Sequence, residues 1–165
     1  MGATAALSRL ERLLGWFLVV VMGVSVVNVL WQVFTRFVLA NPSSYTEELA
    51  RYLLIWIGLI GAAYASGRQL HLSIDLLPQA LSGRSGRSGT TLQVVSRLFV
   101  AAFALTVLTY GGLQLVRLTL SLGQTSAALR IPIGWVYMAL PISGVLIAWF
   151  AVRDISHFVR GRRDS

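Results

Sequence analysis

An all-α membrane protein with four transmembrane helices is the fold that three features of this sequence predict. Of 165 residues, 56% are hydrophobic and only 12% are charged, about half of the ~25% that a soluble domain uses to keep its surface wet. Cutting the chain at its charges leaves four long uncharged runs, at 13–35, 52–67, 98–116 and 131–152, and a bilayer needs roughly 20 apolar residues per helical crossing. All 14 cations are arginine, and they flank the apolar runs instead of gathering on a polar domain. The chain therefore reads as a single membrane domain over 1–165, with spans at about 13–35, 45–67, 92–122 and 131–152.

Residues 3–12 place Leu7, Leu10 and Leu14 at helical spacing with Arg9, Glu11 and Arg12 between them, which predicts a short interfacial helix leading into span one. A secretory signal is disfavoured, because its apolar core runs 7–15 residues and this one is longer and followed by Arg36. Span one carries Ser25, Asn28 and Gln32 three and four residues apart, a polar line on one face. Such a line points at protein and not at lipid, either within this chain or on a second subunit.

Asn41, Pro42, Ser43 and Ser44 break the helix and restart it. Ser44 with Glu47 has the spacing of a capping box, and Glu47 with Arg51 that of an i,i+4 ion pair. Starting at Tyr45 instead of Tyr52 lengthens span two from roughly 24 Å to about 33 Å, enough for a core of about 30 Å. Glu47, Glu48 and Arg51 then lie at the outer interface. Capping and pairing occupy Glu47, which leaves Glu48 as a candidate for partner contact. Gly58 with Ala62 and Gly61 with Ala65 form two overlapping small-residue pairs that admit a second backbone, of this chain or another.

Beyond Arg68, residues 69–81 put Leu70, Ile74, Leu77 and Leu81 on one helical face and His71, Asp75 and Gln79 on the other, so an interfacial amphipathic helix is expected. Residues 82–89 repeat Ser, Gly and Arg and read as a flexible basic linker; Arg68, His71, Asp75, Arg84 and Arg87 are the candidate lipid-facing groups of this region. Gly123 can end span three. Span four opens at Pro132, meets Pro141 in its middle, where a kink is expected, and leads into a basic tail at 153–165.

With the N-terminus inside, ten arginines fall on the cytoplasmic side and four, Arg36, Arg51, Arg117 and Arg130, fall outside. The positive-inside bias then puts both termini in the cytoplasm. Chemistry is scarce. Both histidines, His71 and His157, lie outside the spans, no span has a carboxylate or lysine near its middle, and there is no cysteine. His71 and Asp75 alone make too weak a ligand pair for a metal. Neither nucleic-acid binding, nor catalysis, nor a cofactor or metal is expected, and the composition suits a support.

Several motifs in order carry a resemblance. Arg36-Phe37, Glu47-Glu48-Leu49-Ala50-Arg51-Tyr52, Trp56, Gly61-Ala62-Ala63, Arg68, His71-Leu72-Ser73-Ile74-Asp75, the run from Ser126 to Pro132, Tyr137 and Pro141 together resemble the small membrane subunit of tripartite ATP-independent periplasmic (TRAP) transporters, the DctQ type, over residues 10–155. That resemblance implies a prokaryotic cytoplasmic membrane and two protein partners. One is a large membrane subunit that moves an organic acid with a sodium gradient; the other is an extracytoplasmic substrate-binding protein. The small subunit is implied to be the static scaffold, with Asn28, Gln32, Arg36, Glu47, Glu48, Arg51, Trp56, Gly58 and Gly61 as its candidate partner-facing residues. A four-helix assembly or sensor protein without a transport role is the rival reading.

Overall fold

The computed structural model describes residues 2–41, 43–68 and 86–161, with side chains over 9–41, 43–68 and 95–154. Its elements are α1 (Gly2–Phe37), α2 (Ser44–Gly67), α3 (Gly86–Phe103), a π-helical segment (Ala104–Gly111), α4 (Gly112–Ser121), α5 (Ile133–Tyr137) and α6 (Ala139–Gly161). Four stretches are long and apolar enough to cross a membrane: Arg9–Phe37, Ser44–Gly67, Val95–Ser121 and Ile133–Asp154.

α1 runs unbroken from Gly2. Residues 3–12, expected as an interfacial helix leading into span one, are continuous with that span in a single helix. The helix ends on a left-handed Ala40 (φ 49°), with Val38 N–H donating to Phe34 O (2.9 Å) and Asn41 N–H to Thr35 O (3.2 Å), bonds that occupy otherwise orphaned carbonyls. α2 starts one residue before Tyr45, and the capping box does not form. Ser43 is the cap residue and makes no side-chain cap bond, while Thr46 Oγ1 donates to Ser43 O at 2.8 Å. Glu47 is turned to Arg51, 3.5 Å away on the exposed surface.

The helix that carries the third span begins within the segment expected as linker, since residues 86–89 are already helical. It loosens into π geometry at its centre, where Thr109 Oγ1 donates to Ala104 O five residues back (3.0 Å). Gly144 of α6 lies directly against this segment. A Cβ on it would stand 2.6 Å from Thr109 Oγ1 and 2.8 Å from Leu108 Cβ. The fourth span breaks at Met138, between α5 and α6, and Pro141 supplies the reason: it has no N–H for the carbonyl of Tyr137 four residues back. Its ring sits against Gly112, where a Cβ would stand 3.0 Å from Pro141 Cδ.

The helices form an open row and not a closed bundle. Among the described residues and at backbone level, α1 packs on α2 alone, α2 packs on α5 and α6, and α6 packs on the third span, while α2 and the third span do not touch. The order across the row is thus span one, two, four, three. Burial follows from that order. In the most apolar stretch of span four 44% of residues are buried, in that of span one only 6%. The core lies around span four, with Phe150, Ala151, Ala139 and Ser143 fully enclosed. The tip of the Phe150 ring packs on Gly67 of α2, where an added Cβ would stand 2.8 Å from its Cζ.

Candidate interface and polar clusters

Two polar clusters, one at each end of the helices, join neighbouring spans. The one at the end that the arginine count expects outside, the outer cluster, centres on Glu48. Its Oε2 accepts N–H bonds from Ala128 (2.8 Å) and Leu129 (3.0 Å), and its Oε1 accepts the Tyr52 hydroxyl at 2.7 Å. Leu129 N–H also reaches Ser126 Oγ at 3.2 Å. A carboxylate held by two backbone donors is a strong, geometrically defined acceptor. It ties the first turn of α2 to the turn that joins spans three and four. That turn is closed by its own backbone: Ser126 N–H donates to Ile131 O (2.9 Å), Arg130 N–H to Ser126 O (3.2 Å) and Ile133 N–H to Gln124 O (3.0 Å). Thr125 and Pro132 form an antiparallel bridge across it. The closure puts Arg130 in a left-handed conformation (φ 54°) and leaves it exposed.

Asn28 belongs to the same end. It is 8% exposed, and its Nδ2 donates to Thr46 O of α2 at 2.8 Å. Of the two sites the polar line allows, its amide occupies the one inside this chain. Glu48 is likewise engaged by this chain's own donors. Trp56 packs its ring against Phe17 of α1, centroids 6.1 Å apart, and a Cβ on Gly61 would come within 4.0 Å of Leu18. These four candidate partner residues therefore hold spans one and two to their neighbours.

The remaining candidates stand outward. Gly58 has nothing within 4 Å of where a Cβ would be, and Ala62 one turn on is exposed. Arg36 is exposed beside the Phe37 ring (5.9 Å), Glu47 and Arg51 pair at the surface, and Gln32 is half-buried. Arg68 is exposed with its guanidinium over the Tyr64 ring at 5.0 Å. His71, Asp75 and Arg84 lie outside the described residues, as does the side chain of Arg87; the amphipathic segment 69–81 falls there too.

The inner cluster was not foreseen. Asp154 at the end of span four is 2% exposed and Arg97 of span three 7% exposed, with Arg97 Nη1 3.2 Å from Asp154 Oδ2. The distance is that of an ion pair, yet Oδ2 receives no hydrogen bond from a described group. Arg153 approaches the other oxygen with its Nε at 3.6 Å and reaches Glu11 of α1 with Nη1 at 3.3 Å. It also donates from Nη2 to Gly67 O at 3.0 Å. Glu11, Gly67, Arg97 and Asp154 come from spans one, two, three and four, so this cluster joins all four. Arg97 and Arg153 had been counted only for orientation. The available signal was pairing, because a buried charge at a membrane edge needs a partner, and Asp154 is the single acid bordering span four.

Away from α2, most of span one is uncovered: Leu13, Trp16, Val19, Val27 and Leu30 are all more than half exposed. Among the described residues no three His, Cys, Asp or Glu side chains are grouped as a metal site.

Comparison with known proteins accords with this architecture. Residues 25–161 match the family described as Tripartite ATP-independent periplasmic transporters, DctQ component. The chain is 29% identical to the sialic acid TRAP transporter small permease protein SiaQ of Vibrio cholerae, over 79% of this chain and 72% of that one. It is 30% identical over 73% of its length to the isethionate TRAP transporter permease protein DctMQ of Oleidesulfovibrio alaskensis, and 30% over 59% to the sialic acid TRAP transporter permease protein SiaT of Haemophilus influenzae. It matches only 18% and 15% of those two longer proteins. With the match covering the Glu48 clamp, the Ser126–Pro132 turn and the Arg97–Asp154 pair alike, this multi-pass membrane protein belongs to the DctQ component family of TRAP transporters, a family of transporter subunits and not of enzymes.

Proposed function

We propose that this chain is the small permease subunit of a TRAP transporter and serves as its static scaffold. In this reading it binds a large membrane subunit that carries an organic acid inward with sodium, after an extracytoplasmic binding protein delivers the substrate. The observation that carries it is the open row, its helices fastened at both of their ends. Glu48 at one end and the Arg97–Asp154–Arg153–Glu11 cluster at the other tie the helices together, and a broad apolar surface on span one is left for a neighbour in the membrane. Exposed apolar surface of that extent, free of charge, suits lipid and helix contact.

The small and the longer relatives together favour a large partner, since the same small unit also matches part of proteins named as whole permeases. Sialic acid and isethionate, in those names, are both organic acids, which supports an organic acid as the substrate class of this reading. The family favours the cytoplasmic membrane, and the arginine count favours both termini on its inner side. The Glu48 end then faces the binding protein and the Arg97 end the cytoplasm. Proteoliposomes holding this chain alone should show no sodium-dependent organic acid uptake, and adding the large subunit and the binding protein should restore it. Uptake by this chain alone would overturn the reading.

A further inference from the structure

A groove of about 560 Å³ opens on the side of the row where α2 and the third span flank α6, bounded by Ala62, Ser66, Arg97, Phe103, Leu108 and Ile147. Its volume falls within that of small-molecule sites. The walls are apolar except at one end. There Ser66 is 2% exposed, and its Oγ has no hydrogen-bond partner among the described residues. Beside it stands the buried guanidinium of Arg97, whose ion-pair partner Asp154 meets one of its nitrogens while the group carries five donors in a fork suited to phosphate. Two buried donors at the mouth of an apolar trough form a built polar end, not a stripe of apolar surface alone.

Depth selects the occupant. Arg97 sits at the membrane edge of its span, and the wall from Arg97 to Leu108 rises roughly 16 Å, about half of the ~30 Å hydrocarbon core. The groove thus covers one leaflet. A partner's transmembrane helix would need a trough through both leaflets, whereas an acyl chain needs only one. We infer that the groove holds a single phospholipid of the leaflet at the Arg97 end. Its phosphate accepts from Ser66 Oγ and from the free donors of Arg97, and one acyl chain lies along Phe103, Leu108 and Ile147. The lipid gives Ser66 the acceptor it lacks and fills the space that separates α2 from the third span. This assignment requires only that the row spans a membrane and is independent of the scaffold role.

The test uses the protein as extracted with whatever subunits accompany it and placed in nanodiscs of phosphatidylethanolamine and phosphatidylglycerol. A photoreactive benzoylphenylalanine replaces Phe103, and in a separate sample Val145, which is half exposed on the face of α6 turned away from the groove and reports ordinary surrounding lipid. After irradiation, intact mass measurement should find a phospholipid adduct at position 103 in several-fold excess over position 145. Ser66→Ala should lower that adduct several-fold, and Ala62→Trp, which fills the groove from an exposed position, should abolish it with the melting profile unchanged. Equal adducts at both positions would mean surrounding lipid only and overturn the assignment. So would a peptide adduct at position 103, which would make the groove a protein interface, or no adduct there at all.

Discussion

Replacing Arg97 and Asp154 by leucine, singly and together, probes whether the inner cluster holds the row. Both side chains are nearly enclosed, at 7% and 2% exposure, so removing one partner strands the other in a poorly solvated site, at a cost of about 3–5 kcal/mol. The two singles should differ. Arg97→Leu leaves Asp154 with Arg153 Nε at 3.6 Å and belongs near the lower figure. Asp154→Leu takes from Arg97 its ion-pair partner among the described residues and belongs near the upper one. For a chain of this length each kcal/mol moves the melting midpoint by roughly 2–4 °C, so the singles should melt roughly 6–20 °C lower. The double variant removes both charges and should recover most of the loss, since well-packed apolar replacements of a buried pair are commonly neutral or better. Arg153 retains Glu11 at 3.3 Å and Gly67 O at 3.0 Å in that variant. The assay is tryptophan fluorescence of the purified protein in nanodiscs, repeated at high salt, which should change little because the pair is shielded from solvent ions. Singles that melt with the wild type, or a double variant no better than the worse single, would refute the clamp.

Glu48→Ala should leave the Ala128 amide without its acceptor and Leu129 N–H with Ser126 Oγ alone, so hydrogen exchange at Ala128 should quicken most while amides of α6 keep their protection; unchanged exchange at Ala128 would count against the outer clamp. Asn28→Leu loses one intramembrane bond, worth about 0.6–1.7 kcal/mol, and should lower the melting temperature modestly without weakening pull-down of the large subunit. Gly144→Leu places a side chain where Thr109 and Leu108 already stand and should cost about 1–3 kcal/mol or more by overpacking, whereas Gly58→Leu, with open space around it, should leave the isolated subunit's melting unchanged and weaken binding of the large subunit if that face docks it. A reporter fused after Ser165 should be active in the cytoplasm, and replacing Arg84 and Arg87 should erode that orientation before it affects folding.

What the sequence made legible was one-dimensional. Hydropathy located the four spans, and Gly123 (φ 60°) and Pro132 punctuate the turn between spans three and four as their chemistry requires. The Glu47–Arg51 pair forms at its helical spacing. The clusters were less legible because each joins residues far apart in the chain: Glu48 meets Ala128 across 80 positions and Arg153 meets Glu11 across 142. Periodicity reports which residues share a helix face, not which helix that face meets. Glu48 and the Ser126–Pro132 run were both noticed, yet nothing local says that one grips the other. The failed capping box has a local cause, since Thr46 bonds the Ser43 carbonyl and Glu47 is drawn to Arg51. The π segment had no sequence signal at all, and packing of Gly144 against its backbone accompanies it.

The order of helices across the row bears on how the chain is made. Synthesis delivers spans one, two, three and four in turn, but span three has no neighbour in the row until span four exists, because the two helices that arrive before it touch only each other. Helix axes pack 8–10 Å apart, so in the finished row span three stands about two helix widths from span two, and until span four arrives the place between them is a vacancy one helix wide. Residues 69–85 are long enough to bridge that gap, with a reach of up to roughly 55 Å. The last span then slides into the vacancy and meets Gly67 with Phe150 on one flank and the π segment with Gly144 on the other. A chain cut before Ile133 would hold one packed pair of helices and a third helix without a neighbour in the row, and the insertion of the final segment is the step that turns these parts into one body.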